Sequence, residues 1–166
     1  MIREARTGDV DRLMEIWLAS NLEAHAFIDA QYWRRHADTT KRALGQMGAA
    51  VTVLVYENAL GIRGFLGLSA GYIEGIFVDK ADRGHGIGKQ LLATAKGLRQ
   101  ALTLHVYQKN ADAKRFYLRE GFWVQSTQID PYTGEMECEM RWEKRKSVFS
   151  FIQKGPVRQT GCANVL

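Results

Sequence analysis

Ile76-Phe77-Val78-Asp79-Lys80-Ala81-Asp82-Arg83-Gly84-His85-Gly86-Ile87-Gly88-Lys89-Gln90-Leu91-Leu92 is the stretch on which the fold turns. Its β-branched and aromatic start reads as the end of a strand, and residues 79–82 read as a polar turn. The glycine-rich segment that follows opens onto a helical pattern with Leu91, Leu92, Ala95 and Leu98 on one face. The first N–H groups of a helix have no partners inside it, and the helix dipole favours negative charge there. Glycines let a bulky anion approach the main chain, and Arg83 and Lys89 add positive charge. The segment predicts a site for a phosphorylated ligand.

Spacing removes two common ligand classes. A nucleotide P-loop needs Gly, four residues, then Gly-Lys-Ser/Thr. Here Gly88-Lys89 is followed by Gln90, and the required first glycine is Arg83. The dinucleotide fingerprint Gly-x-Gly-x-x-Gly fails as well, because its third glycine falls at Lys89 or Leu91.

A second segment, residues 110–122, reads as a short helix. Asn110 is a good N-cap, Ala113, Phe116 and Tyr117 share a face, and Gly121 ends the helix. Arg83-x-x-Gly86-x-Gly88 resembles the pyrophosphate loop of the GCN5-related N-acetyltransferases, which bind acetyl-coenzyme A. The Asn110-x-x-Ala113-x-x-Phe116-Tyr117-x-x-x-Gly121-Phe122 run is similar to a downstream segment of the same family. The resemblance covers roughly residues 1–142. Within the family, residues 1–5, 17–20, Tyr32-Trp33 and 106–110, with His25-x-Phe27-Ile28, look closest to a bacterial branch of protein-lysine acetyltransferases.

Composition frames the same chain. At 166 residues with 46% hydrophobic and 25% charged content, it reads as one ordinary soluble domain with a full core. No apolar run approaches the roughly 20 residues that span a bilayer, and the N-terminus lacks a basic-then-apolar leader. A cytoplasmic protein without membrane partners is the expectation. Cys138 and Cys162 form no metal-ligand spacing, so no metal is expected and both are read as reduced thiols. The net charge of +5 invites a nucleic-acid reading. Residues 1–142, however, hold 18 basic and 17 acidic side chains, whereas 143–166 hold five basic residues and one acid. The excess belongs to a basic C-terminal extension, read as a solvated tail, and not to a folded face.

Along the chain, strands are expected at residues 2–6, 51–57, 62–69, 72–78, 102–107, 122–129 and 135–142. A first helix, capped by Thr7 or Asp9, carries Val10, Leu13, Met14, Trp17 and Leu18. Others are expected near 29–46, at 86–100 and after Asn110. The order β-α-α-β-β-β-α-β-α-β-β is an α/β sandwich around a mixed, mostly antiparallel sheet, the fold that the resemblance implies. Residues 1–142 form the expected acetyltransferase domain.

The resemblance also implies chemistry. Backbone amides at Arg83, Gly84, His85, Gly86, Ile87, Gly88 and Lys89 would wrap the pyrophosphate of acetyl-CoA, with His85 donating to phosphate. Ile76, Phe77 and Val78 would pair with the pantetheine arm, and Asn110 would add a cofactor contact. Tyr117 would protonate the departing thiolate. Glu74, which simple alternation puts on one face with Tyr72, Ile76 and Val78, is the candidate general base, directly or through water; His25 is the second candidate. Acceptor amines that arrive already deprotonated would need neither. Trp17, Phe27, Tyr32 and Trp33 are candidates for the acceptor wall. The reaction expected is acetyl transfer in a ternary complex to a protein lysine, a peptide N-terminus or a small amine. A non-catalytic acyl-CoA sensor and an aminoacyl-tRNA acetylator are the competing readings. Homodimer formation is left open.

Overall fold

Strands Val51–Asn58 (β2) and Gly61–Ser69 (β3) are apolar on both faces, and both faces are buried. Leu54, Leu66 and Leu68 enter one core, while Val53, Val55 and Phe65 enter another. Only a sheet covered on both sides accommodates that pattern. The computed structural model describes residues 1–48 and 50–145; the basic extension from residue 146 onward, with Cys162, lies outside them.

The remaining strands are β1 (Ile2–Glu4), β4 (Tyr72–Val78), β5 (Ala101–Tyr107), β6 (Trp123–Ile129) and β7 (Met136–Glu143). Helices are α1 (Val10–Ala24), α2 (Ala30–Gly45), α3 (Ile87–Leu98) and α4 (Ala111–Arg119), with 3-10 turns at Thr7–Asp9 and Lys80–Asp82. One seven-stranded sheet runs β1-β2-β3-β4-β5-β7-β6. Every neighbouring pair is antiparallel except β4 and β5. Val10, Leu13, Ile16 and Trp17 of α1 cover one face with Leu44 of α2; Ile87, Leu91, Leu92 and Ala95 of α3 cover the other with Tyr117 of α4. Cys138 is a free thiol with no exposure, deep in the core beneath α3 with Leu66 and Leu68. Among the described residues, no helix is long and apolar enough to cross a membrane.

Three expectations need correction. Neither Thr7 nor Asp9 caps α1 with its side chain. The Asp9 carboxylate accepts the Arg6 N–H at 2.7 Å and pairs with Arg3 at 2.8 Å, closing a 3-10 turn ahead of the helix. Helix α3 stops at Leu98, because Arg99 is extended, and Leu98 is left 48% exposed instead of joining the apolar face. The third concerns β4. Gly67 pairs with Gly75 but Leu68 pairs with Ile73, so Glu74 is the extra residue of a β-bulge. Ile73, Ile76 and Val78 therefore share the α3 side, and Glu74 does not. Glu74 is exposed on the face of Tyr72. Beside the bulge only glycine fits at position 75: a Cβ there would lie 2.5 Å from the Phe77 ring, which stacks on Phe65 at 5.0 Å.

Candidate active site

Strands β4 and β5 meet at a single registered pair, Tyr72 with Thr103, fastened by the Thr103 N–H donating to Gly71 O at 2.9 Å. Beyond it they diverge, and the β5-facing edge of β4 has no strand partner. A cleft of about 1200 Å³ fills this opening. Ile76, Phe77 and Val78 line it from β4; Arg83, Gly84, Gly86, Ile87, Gly88 and Lys89 from the loop and α3; Asn110 and Tyr117 from α4 and its cap. The structure thus brings both sequence segments to one place. His85 is exposed and does not line the cleft, and Glu74 does not either.

At the α3 end the cleft is built for an anion. Gly84 and Gly86 both have left-handed φ, 78° and 79°, which favour glycine. No side chain caps α3, so its first-turn N–H groups are free to bind a ligand. The Arg83 guanidinium is held beside them, donating from Nε to Val78 O at 3.2 Å. Glu23 of α1 pairs with both Arg83 and Lys80 at 3.1 Å, and these cations keep its carboxyl below the usual range, Lys80 foremost. Sequence reasoning missed Glu23, because nothing local ties α1 to the loop.

At the other end sits Tyr117. It is only 7% exposed, yet it lines the cleft, and its hydroxyl makes no hydrogen bond among the described residues. Burial pushes the phenol well above its usual range, so it stays protonated at any physiological pH. Such a group can donate a proton; it cannot serve as a base. Asn110 caps α4 by accepting the Ala113 N–H at 3.3 Å, and Gly121, with φ of 84°, ends the helix.

His25 also lines the cleft, at the C-terminal end of α1. Its ring stacks on Trp33 with centroids 5.0 Å apart and meets the edges of Phe27 and Tyr107. Burial pushes its imidazole down from 6.5 to about 4. Because the folded value is depressed, the unfolded chain binds the extra proton between pH 6.5 and 4, and stability falls as pH drops through that window. After allowance for partial solvation, the expected loss is about 2 kcal/mol. Thermal denaturation across that range should show His25→Phe losing less stability than wild type; equal slopes would contradict the assignment.

None of the four candidates for an acceptor wall lines the cleft. Trp17 and Trp33 pack edge to face at 6.0 Å within the α1 core and do not line the cleft. Phe27 and Tyr32 lie nearer the surface, beside Tyr107, Lys109 and Trp33. Tyr107 in turn donates to Asp130 at 2.6 Å, anchoring the β6–β7 loop at the end of β5. Among the described residues, no group of three or more His, Cys, Asp or Glu side chains is placed to hold a metal ion.

Residues 49–124 match the family described as "Acetyltransferase (GNAT) domain". Peptidyl-lysine N-acetyltransferase YiaC of Escherichia coli (strain K12) is 30% identical over 161 residues, 96% of this chain and 99% of its own. Peptidyl-lysine N-acetyltransferase YjaB of the same strain is 32% identical over 74% of this chain and 82% of its own. The apo solution structure of YjaB superposes with a TM-score of 0.75 at 26% identity, covering 85% of this chain and 95% of that one. The PaiA N-acetyltransferase of Thermoplasma acidophilum, solved with coenzyme A, shares the fold with a TM-score of 0.74 at 20% identity, covering 87% and 98%. The chain belongs to the GCN5-related N-acetyltransferase (GNAT) family and is an acetyl-CoA-dependent N-acetyltransferase.

Proposed function

We propose that the enzyme acetylates lysine side chains of peptides or proteins, by direct attack of the amine on the thioester in a ternary complex. The observation that carries this reading is the character of the sheet face around Tyr72. Burial foremost, and then the charges of Glu74, Glu137 and Glu139, hold the Tyr72 phenol above its usual range. His105 lies beside it, its Nδ1 3.1 Å from the phenol oxygen. An acidic face with aromatic rings suits a lysine: carboxylates attract the ammonium while the methylene stem lies on apolar surface. Both E. coli relatives are named peptidyl-lysine N-acetyltransferases, which supports the same acceptor class.

In this reading the acetyl-CoA diphosphate rests on the first turn of α3 beside Arg83, and the pantetheine arm pairs with the open edge of Ile76, Phe77 and Val78. One main-chain N–H of that edge polarises the thioester carbonyl. The acceptor nitrogen bonds to the carbonyl carbon, the C–S bond breaks, and Tyr117 gives its proton to the departing sulfur. Before attack, one ammonium proton leaves to Glu74 through water; the second nitrogen proton, lost as the amide forms, returns to the Tyr117 phenolate through water. Glu74→Gln is expected to lower kcat/KM about tenfold at neutral pH. The deficit should shrink at alkaline pH, where an amine of ordinary pKa near 10.4 deprotonates unaided. An unchanged pH–rate profile would remove Glu74 from the mechanism.

A panel of acceptors tests the reading, with release of coenzyme A thiol as the signal. N-terminally blocked lysine peptides should be acetylated on Nζ faster than lysine-free peptides with a free N-terminus, a small arylalkylamine or aminoacyl-tRNA. Transfer confined to any of the last three would overturn the lysine assignment.

A further inference from the structure

Asn110 makes two hydrogen bonds with one amide, and only the first explains its place at the head of α4. Its Oδ1 accepts the Ala113 N–H at 3.3 Å, closing the N-cap. Its Nδ2 lies 3.2 Å from Nε2 of His25, a residue 85 positions away. Exchanging the amide's oxygen and nitrogen would turn an NH2 group toward the Ala113 N–H and lose the cap. The cap therefore fixes which atom faces the imidazole. Nδ2 donates, Nε2 accepts, and the neutral ring must carry its hydrogen on Nδ1.

That Nδ1 is buried and has no partner among the described residues. An unsatisfied buried N–H is a penalty that proteins normally avoid. A phenylalanine could fill the same stack on Trp33, and the same edges of Phe27 and Tyr107, without any orphaned donor. What a phenylalanine could not supply is an acceptor for Asn110. The same hydrogen bond removes His25 as a base, since its lone pair is already engaged.

We propose that His25 is a positioning residue for acetyl transfer: its Nε2 holds the second arm of the Asn110 amide and so aims α4, with Tyr117, into the opening between β4 and β5. The inference rests on the assignment of Tyr117 as proton donor. Helix α4 has nine residues, and Tyr117 lies about two turns beyond the cap. A swing of the cap therefore moves the phenol relative to the sulfur, and displacements of about 1 Å can cost up to 100-fold in rate.

Two variants separate this role from its rivals. Glutamine reaches about as far as histidine and places an amide oxygen where Nε2 lies; phenylalanine keeps the ring and deletes the acceptor. His25→Phe is expected to lower kcat about tenfold, with KM for acetyl-CoA changed by no more than about twofold. His25→Gln should restore kcat to within about threefold of wild type. Wild-type kcat in His25→Phe would reduce the residue to a packing ring. Equal loss in both variants would show that the imidazole's own chemistry is required. Either result overturns the proposal. Nitrogen NMR of the unmodified protein supplies a readout that survives misfolding of the variants. It should report the Nδ1–H tautomer with Nε2 as acceptor, and an Nε2–H tautomer would refute the proposal. The tautomer is read with no acceptor present, so failure of the lysine reading leaves this result standing.

Discussion

Tyr117→Phe should lower kcat by about 100-fold or more, with the Kd for acetyl-CoA changed by less than about twofold. The two halves of this result have different origins. The side chain is packed against Phe116 and Phe122, with ring centroids 5.2 and 5.5 Å away, and phenylalanine preserves those contacts. The cleft keeps its shape, so donor binding survives. What disappears is one O–H on a buried ring whose phenol is held protonated by burial. A thiolate leaving into the same water-poor cleft loses its solvation, which raises its basicity, so it gains from a proton delivered as the C–S bond breaks. Rapid-quench measurement of the acetylated product isolates this step from product release. An unchanged single-turnover rate would exclude Tyr117 as the proton donor.

Gly86→Val should raise the Kd for acetyl-CoA about 30-fold or more. Gly86 is the N-cap of α3 with φ of 79°, a left-handed conformation that costs an L-residue about 1–2 kcal/mol and a β-branched one more. The strain is relieved by rotating the first turn of α3, and that rotation turns its N–H groups away from the diphosphate. Gly88 supplies the control. Its backbone lies outside the left-handed region, and a Cβ there would meet Phe116 and Ile76 at 3.6 and 3.8 Å, ordinary contact distances. Gly88→Ala should keep Kd within about threefold of wild type. Isothermal titration of the three proteins decides the matter. Equal losses in both variants would mean that bulk, and not backbone conformation, sets affinity at this loop.

The parts of this site that could be read from the chain are those whose cause is local. Left-handed glycines at 84 and 86, a cap at Asn110 and a stop at Gly121 act within a few residues, and each is visible as a residue type at a spacing. The strand at Tyr72–Val78 was equally plain from its composition. What could not be read depends on partners far along the chain. The bulge at Glu74 forms where β4 pairs with Gly67 and Leu68 of β3, so alternation alone wrongly grouped Glu74 with Ile76 and Val78, although it does share the face of Tyr72. Glu23 meets Arg83 only once α1 is docked, and His25 meets Asn110 only once β5 is in the sheet. Trp17 and Trp33 have the spacing of a ligand wall but pack as core, since helical periodicity reports burial and not its purpose.

Initial-rate kinetics with acetyl-CoA and an N-terminally blocked lysine peptide, both varied, tests for direct transfer from a donor held in the β4–β5 opening to an amine bound at the same time. The free cysteine among the described residues, Cys138, is buried in the core and does not line the cleft. Intersecting double-reciprocal lines are expected, with the acetyl group recovered on the lysine Nζ. Parallel lines, with an acetylated enzyme isolated in the absence of peptide, would contradict direct transfer.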